Sequence, residues 1–440
     1  MSRNPGALRL LGLAVFAVLL VALIAGCGGG GSSSSSTATE TSEAAGGESE
    51  AKETASAEES ESSSDAEGSP IKYMTIVPLS GNNVTYPAEG AAAEATVANI
   101  NAEGGIAGHP IELHVCDDKN DPNEASKCAR EAVEEKAVGV VGSFSLFGEN
   151  VMSVLNGAGI PYVSPCCASS HGELTDPNSF ITSSGALIST GTGVAAGEKY
   201  KNVSLVMTES PYSEFTKQLV EAGLEYAGYK GSLKTIEVPG AATDYAGTVA
   251  EATEGTDAII LALGQQQALA FLPALKQAGA TQKLIGIGGN SLAKSVIEKN
   301  PEITEGATIV DYYPPITDPA WKPFVTAWEK YATPDQQKSD DISLLGAETT
   351  WIGYNIAKQV GEEIEGEITS SSFLEALQKA SKVETGGVTP PIDFTKPFPS
   401  PELSALYNTS VTFEEVKNGE ITWPDEEFHD MGPAYLKAQQ

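Results

Sequence analysis

Five cysteines and four histidines are the side chains of this 440-residue chain best suited to nucleophilic or metal chemistry. Cys166 and Cys167 stand side by side, with His171 shortly after. A thiol near an imidazole is the start of a nucleophile–base pair, but such pairs need a third group to orient the base. None is evident around His171. A vicinal disulfide, two free thiols and a pair lining a site all remain open for Cys166 and Cys167. Cys116 and Cys128 lie near His109 and His114, in a spacing that fits no standard zinc site. No metal is therefore expected.

Two further motifs invite chemistry and have plainer readings. Asp117 and Asp118 are adjacent carboxylates, but they close an apolar run, where acids end a strand and cap a turn. Gly191-Thr192-Gly193-Val194-Ala195-Ala196-Gly197 is glycine-rich. It lacks the strand–turn–helix context and final spacing of a dinucleotide site, so close helix packing is expected and no cofactor is implied.

These residues are carried on alternating elements. Tyr73–Val77, Ile111–Val115, Val138–Val141 and Ile160–Val163 read as strands. A helix follows Pro87 and stops at Gly104-Gly105, and another opens at Asp121-Pro122 with the acid as cap. The rhythm then repeats. Val203–Met207, Leu233–Val238, Ala258–Leu263 and Leu284–Ile287 read as strands, with helices such as Gln266–Gln277 between them. Strand–helix alternation means parallel sheets covered on both faces, and two series mean two α/β lobes. The tail departs from this, with helices over Ser343–Ile364 and Ser371–Lys382. A hairpin-like pair, Leu406–Phe413 and Glu420–Trp423, follows around Asn418-Gly419. Open parallel sheets bind ligands beyond the carboxyl ends of their strands, so the loops there are the candidate site.

The amino terminus reads as an address. Arg3 and Arg9 form a positive segment ahead of an apolar run, Leu10–Ile24, of about 15 residues, short of the ~20 a spanning helix needs. Ile24-Ala25-Gly26-Cys27 resembles the lipobox of bacterial lipoproteins, which implies cleavage after residue 26 and lipidation of Cys27. Residues 27–69 are Gly, Ser, Ala, Thr and Glu with almost nothing to bury, and read as an extended acidic spacer. The remaining chain, residues 70–440, is long enough for two cores. The whole chain's formal net charge of −33 without a basic patch excludes nucleic acid and favours a soluble monomer. Export permits disulfides, and neighbouring β–α elements suit a Cys116–Cys128 bridge.

The ordered set of short motifs resembles the branched-chain amino-acid-binding proteins, the type I periplasmic solute-binding proteins of ABC transporters. It comprises Pro78-Leu79-Ser80-Gly81, Asn99 through Gly108, Asp117-Asp118 with Asp121-Pro122, Val140-Val141-Gly142-Ser143, Gly159-Ile160-Pro161, Thr243-Asp244-Tyr245 and Gly255-Thr256-Asp257-Ala258. The resemblance implies two Rossmann-like lobes joined by a three-segment hinge, with crossings near Ser184, Asp311 and Thr395. Lobe 1 would hold residues 70–185 and 312–395, and lobe 2 residues 186–311 and 396–440. It also implies solute capture, delivery to a membrane permease, and no catalysis.

The same resemblance implies a ligand set. Loops after the third and fourth strands would hold a carboxylate, here Phe144-Ser145-Leu146 and Cys167-Ala168-Ser169. Leu146 falls where the family usually has a hydroxyl. Tyr212 matches the family's aromatic of the second lobe, and Asn290 occupies the position of its ammonium-binding acid. Glu209 is the alternative acid, Gln265 offers an amide, and Tyr86 would cap the apolar part. The expected solute is thus a small polar one: an amino acid, a related amide or a short-chain acid. A sensing receptor of the same fold is the alternative function, and an enzyme using Cys166 or Cys167 with His171 a third.

Overall fold

The computed structural model describes residues 68–81, 85–210 and 212–440. The signal-peptide reading, Cys27 and the spacer to residue 67 lie outside the described residues. Among the described residues no helix is long and apolar enough to cross a membrane.

Two sheets organise the chain. The first contains β1 (Ile71–Val77), β2 (Ile111–Asp117), β3 (Gly139–Val141), β4 (Tyr162–Val163) and β5 (Ser179–Phe180) in the order β2-β1-β3-β4-β5. Every pairing in it is parallel. The second begins with β6 (Asn202–Thr208), β7 (Ser232–Val238), β8 (Ala258–Ala262), β9 (Lys283–Ile287) and β10 (Thr308–Asp311). It continues with β11 (Ser410–Lys417), β12 (Glu420–Thr422) and β13 (His429–Asp430), in the order β12-β11-β10-β9-β8-β6-β7 with β13 against β11. Its strands from β6 to β10 are parallel, and β11 closes it antiparallel. Strands such as β8 are buried along most of their length, as sheets covered on both faces require. This is the expected pair of α/β lobes.

The chain leaves the first sheet after β5, returns after β10 and re-enters the second sheet at β11. The hairpin differs from its sequence reading. Its first strand is Ser410–Lys417, so Asn418-Gly419 forms a tight two-residue turn with Lys417 paired to Glu420. Leu406 and Tyr407 looked like its beginning because they are apolar. They instead belong to the first lobe's surroundings: Leu406 bridges Ile181, and Tyr407 stacks on Phe180.

Local chemistry explains the element ends. Asp121 accepts hydrogen bonds from the backbone N–H of Asn123 and Glu124, with Pro122 opening the helix Pro122–Glu134. Asp117 accepts from the N–H of Leu79, Ser80 and Lys119 and from the Ser80 hydroxyl, and so fixes the turn after β1. Its slight burial would raise its pKa, but these hydrogen bonds outweigh that and hold it below the usual carboxylate range. Cys116 and Cys128 form the expected disulfide, with Cα atoms 5.8 Å apart, tying β2 to the helix Pro122–Glu134. His114 and Glu131 flank Cys116, but a sulfur already in a disulfide is no metal ligand. The glycine run packs two helices together: a Cβ on Gly193 would strike the Val220 carbonyl and one on Gly223 the Thr190 carbonyl. The helices Ile188–Lys199 and Ser213–Tyr226 touch through those bare backbones.

Candidate functional site

A cleft of about 190 Å³ opens where the carboxyl ends of β4, β6, β9 and β10 converge. From the first lobe it is lined by Cys167, Ala168 and Ser169, the loop after β4, and by Leu345 at the start of the helix Leu345–Glu362. The short helical turn Gly185–Leu187 after β5 contributes Gly185 and Ala186. The second lobe contributes Ile188 and Ser189, the helical residues Phe215, Thr216 and Leu219, and three strand-end groups: Tyr212 after β6, Asn290 after β9 and Tyr312 after β10. No Asp, Glu, Lys, Arg or His stands among the described lining residues.

The loop after β4 is held by backbone geometry. Cys166 donates its N–H to the Ser143 carbonyl at 2.9 Å, and Ser164 and Cys167 both adopt left-handed backbone conformations, with φ of 55°. The capping box of Ser170 and Glu173 fixes the exit, and the Glu173 carboxylate also accepts the Ser169 N–H. Ser169 itself is exposed to the cleft, and its hydroxyl has no partner among the described residues. Its hydroxyl is therefore free to bond a solute. Opposite it, Asn290 supplies an amide and Tyr212, 42 % exposed, an aromatic face. Tyr312 is anchored by its hydroxyl to the Gly185 carbonyl at 3.2 Å, which ties this wall to the turn after β5.

Of the residues nominated from sequence, Cys167, Ala168, Ser169, Tyr212 and Asn290 come together in the cleft. Tyr86, Phe144, Ser145, Leu146 and Gln265 are not part of its lining. Tyr86 and Phe144 pack edge to face with ring centres 4.8 Å apart. The Ser145 hydroxyl donates to Asp118 and accepts the Phe147 N–H, so it braces its loop. Leu146 is 55 % exposed. The Gln265 amide donates to Ser295 at 2.9 Å. Glu209 is exposed and outside the lining. The sequence reading did not find Ile188, Phe215, Leu219, Leu345 or Tyr312. The first four look like an ordinary apolar helix stripe, and Tyr312 follows a four-residue strand that carries little periodic signal.

Carboxylates lie behind the cleft rather than in it. Glu89 is 1 % exposed, and neither of its oxygens finds a hydrogen-bond partner among the described residues. Burial, with Cys167 and Asp118 nearby, pushes its pKa well above that of a free carboxylate. Burial likewise raises Asp311 to about 7, and Glu348 and Glu414 beside it are pushed up.

Comparison with known proteins agrees with this architecture. The chain belongs to the periplasmic binding protein family, whose model matches residues 70–402. No curated protein matches the sequence significantly. Among solved structures it is similar to a fatty acid ABC transporter substrate-binding protein from Thermomonospora curvata, at 18 % identity and TM-score 0.67, covering 83 % of this chain and 94 % of that one. A leucine-binding protein from Thermotoga maritima gives 17 % identity and TM-score 0.62, over 82 % and 97 % of the two chains. A solute-binding protein of an ABC transporter from Rhodopseudomonas palustris BisB5, in complex with 3,4-dihydroxybenzoic acid, gives 19 % identity and TM-score 0.64, over 80 % and 95 %. At these identities the likeness establishes the fold.

Proposed function

We propose that this chain is the extracytoplasmic, lipid-anchored solute-binding protein of an ABC importer. It captures a small polar solute between its lobes and passes it to a membrane permease. The lobe boundaries near Ser184 and Asp311, a third crossing after Tyr407 rather than near Thr395, as the contacts of Leu406 and Tyr407 with Ile181 and Phe180 indicate, the anchor at Cys27 and the monomeric state belong to this proposal. The observation that carries it is the uncharged cleft at the carboxyl ends of both sheets, where the Ser169 hydroxyl faces Asn290 and Tyr212. A volume near 190 Å³ is below the ~300–1,000 Å³ of drug-sized sites and suits a small molecule. A nucleophile–base pair is absent among the described lining residues, which supports binding without catalysis.

The lining also narrows the solute. Burying an ammonium with no carboxylate beside it costs several kcal/mol, and no acid stands in the described lining. A carboxylate or amide needs only hydroxyl and N–H donors, which the Ser169 hydroxyl and the Asn290 amide supply. Fatty acid, leucine and 3,4-dihydroxybenzoic acid, the molecules named for the three similar proteins, all carry a carboxylate. The apolar body would lie on Ile188, Phe215 and Leu219. Short-chain or aromatic acids and amides are therefore favoured over zwitterionic amino acids. A thermal-shift screen tests this: a solute at 100 times its Kd stabilises by ~2.7 kcal/mol. A response to amino acids alone overturns the narrowing, and turnover of any screened compound overturns the binding role.

A further inference from the structure

We propose that Cys166 and Cys167 form a redox modification site on the cleft wall, where the two thiols close to a vicinal disulfide in the oxidising compartment. Their sulfurs lie 2.9 Å apart in the reduced protein. Cys166 is 3 % exposed, while Cys167 is partly exposed and lines the cleft. The loop is already bent for the pair: Cys167 holds a left-handed backbone, φ 55°, that a non-glycine residue rarely adopts. The family is extracytoplasmic, and the Cys116–Cys128 disulfide is of the kind such compartments maintain.

A thiolate role fits the surroundings poorly. The groups acting electrostatically on the pair include Tyr86, Glu89 and Tyr312, all acids. The hydrogen bond with Cys167, together with burial, pushes the Cys166 thiol up. It keeps its proton at neutral pH, which disfavours both nucleophilic catalysis and soft-metal binding. Disulfide exchange needs only a transient thiolate. Cys167, the accessible thiol, attacks an external disulfide, expelling one donor thiol and forming a mixed disulfide. Cys166 then attacks the Cys167 sulfur and expels the second donor thiol. Two protein thiols are oxidised, one donor disulfide is reduced to two thiols, and both protons pass to the donor. Adjacent Cα atoms are only about 3.8 Å apart, less than the ~4.4–6.8 Å of ordinary disulfides, so this bond is the more easily reduced of the two.

Closing the ring fixes Cys167 against Ala168 and Ser169, and so sets the wall that faces the solute. That consequence rests on the cleft being the solute site; the bond itself does not. The test is peptide mapping of the full chain after exposure to oxidised glutathione, then denaturation and N-ethylmaleimide labelling. The expected peptide carries both cysteines unlabelled and is lighter by two hydrogens. Graded reductant should free this pair before Cys116 and Cys128. Two labelled thiols after oxidation, or a persistent glutathione adduct in the wild type, overturns the proposal. In Cys166→Ala the adduct on Cys167 should persist. On the reduced native protein, Cys167 should label about tenfold faster than Cys166; equal rates would contradict its place on the cleft wall.

Discussion

The first lobe meets the cleft through a loop of small residues, Cys167-Ala168-Ser169, whereas the second meets it mainly through helical apolar side chains, Ile188, Phe215 and Leu219. The loop is positioned by backbone conformation: left-handed residues at Ser164 and Cys167, and Gly142 at φ 58° in the strand-end turn beside it. The helices are positioned by side-chain and glycine packing. One wall therefore offers the Ser169 hydroxyl at a fixed point, and the other a broad apolar surface. Polar selectivity is expected from the first and apolar fit from the second.

Both lobes press a strand-end glycine on the same helix, Leu345–Glu362. A Cβ on Gly142 would lie 2.6 Å from the Thr350 Cα, and one on Gly289 would lie 2.7 Å from the Leu345 Cγ. The Cβ on Gly289 would also lie 2.9 Å from the Leu345 backbone nitrogen, so both clashes involve backbone, the Gly142 one at the closer distance.

The lobes also differ in covalent support, since all four cysteines beyond Cys27 precede residue 186. The largest effect should follow. Replacing Cys116 and Cys128 together by Ala should cost ~3 kcal/mol by urea unfolding, with the loss centred on the first lobe. An equal loss of hydrogen-exchange protection in both lobes would break the comparison. Gly142→Ala should cost about 2–3 kcal/mol and Gly289→Ala about 1–2 kcal/mol, from overpacking plus left-handed strain. The reverse order in urea midpoints would show that Thr350 yields more readily than Leu345.

A smaller effect concerns pH. Asp311, at the crossing after β10, keeps its proton up to about 7 in the fold because burial disfavours its charge. Unfolded, it releases that proton near 4. Unfolding thus releases a proton between these values, and stability should fall as pH rises from 4 to 7. Glu348 and Glu414, also pushed up by burial, act with the same sign. Asp311→Asn should flatten the decline in urea titrations across that range. An unchanged slope would mean that the other two acids carry it.

The fold was legible where the signal is local. Strand–helix alternation marked both sheets, and the spacing of Cys116 and Cys128 across one β–α unit marked the disulfide. The hairpin register was not legible, because Leu406 and Tyr407 are as apolar as a strand and only contact with Phe180 and Ile181 assigns them elsewhere. The site was half legible. The family resemblance nominated Ser169, Tyr212 and Asn290, which line the candidate cleft. Ser145 has the right type and a strand-end position, but Asp118, 27 residues earlier, takes its hydroxyl. Phe215 and Leu219 carry no sign in the sequence that their stripe faces a cleft.

The central claim is that one solute lies between the Ser169 loop and the Tyr212–Asn290 wall. It is tested most directly by the thermal shift from carboxylates and amides, measured on the wild type, Ser169→Ala and Tyr212→Ala. The account predicts that a compound stabilising the wild type by ~2.7 kcal/mol at 100 times its Kd stabilises each variant at the same concentration by at least about 1 kcal/mol less. An unchanged shift in both variants would place the solute elsewhere and contradict the account.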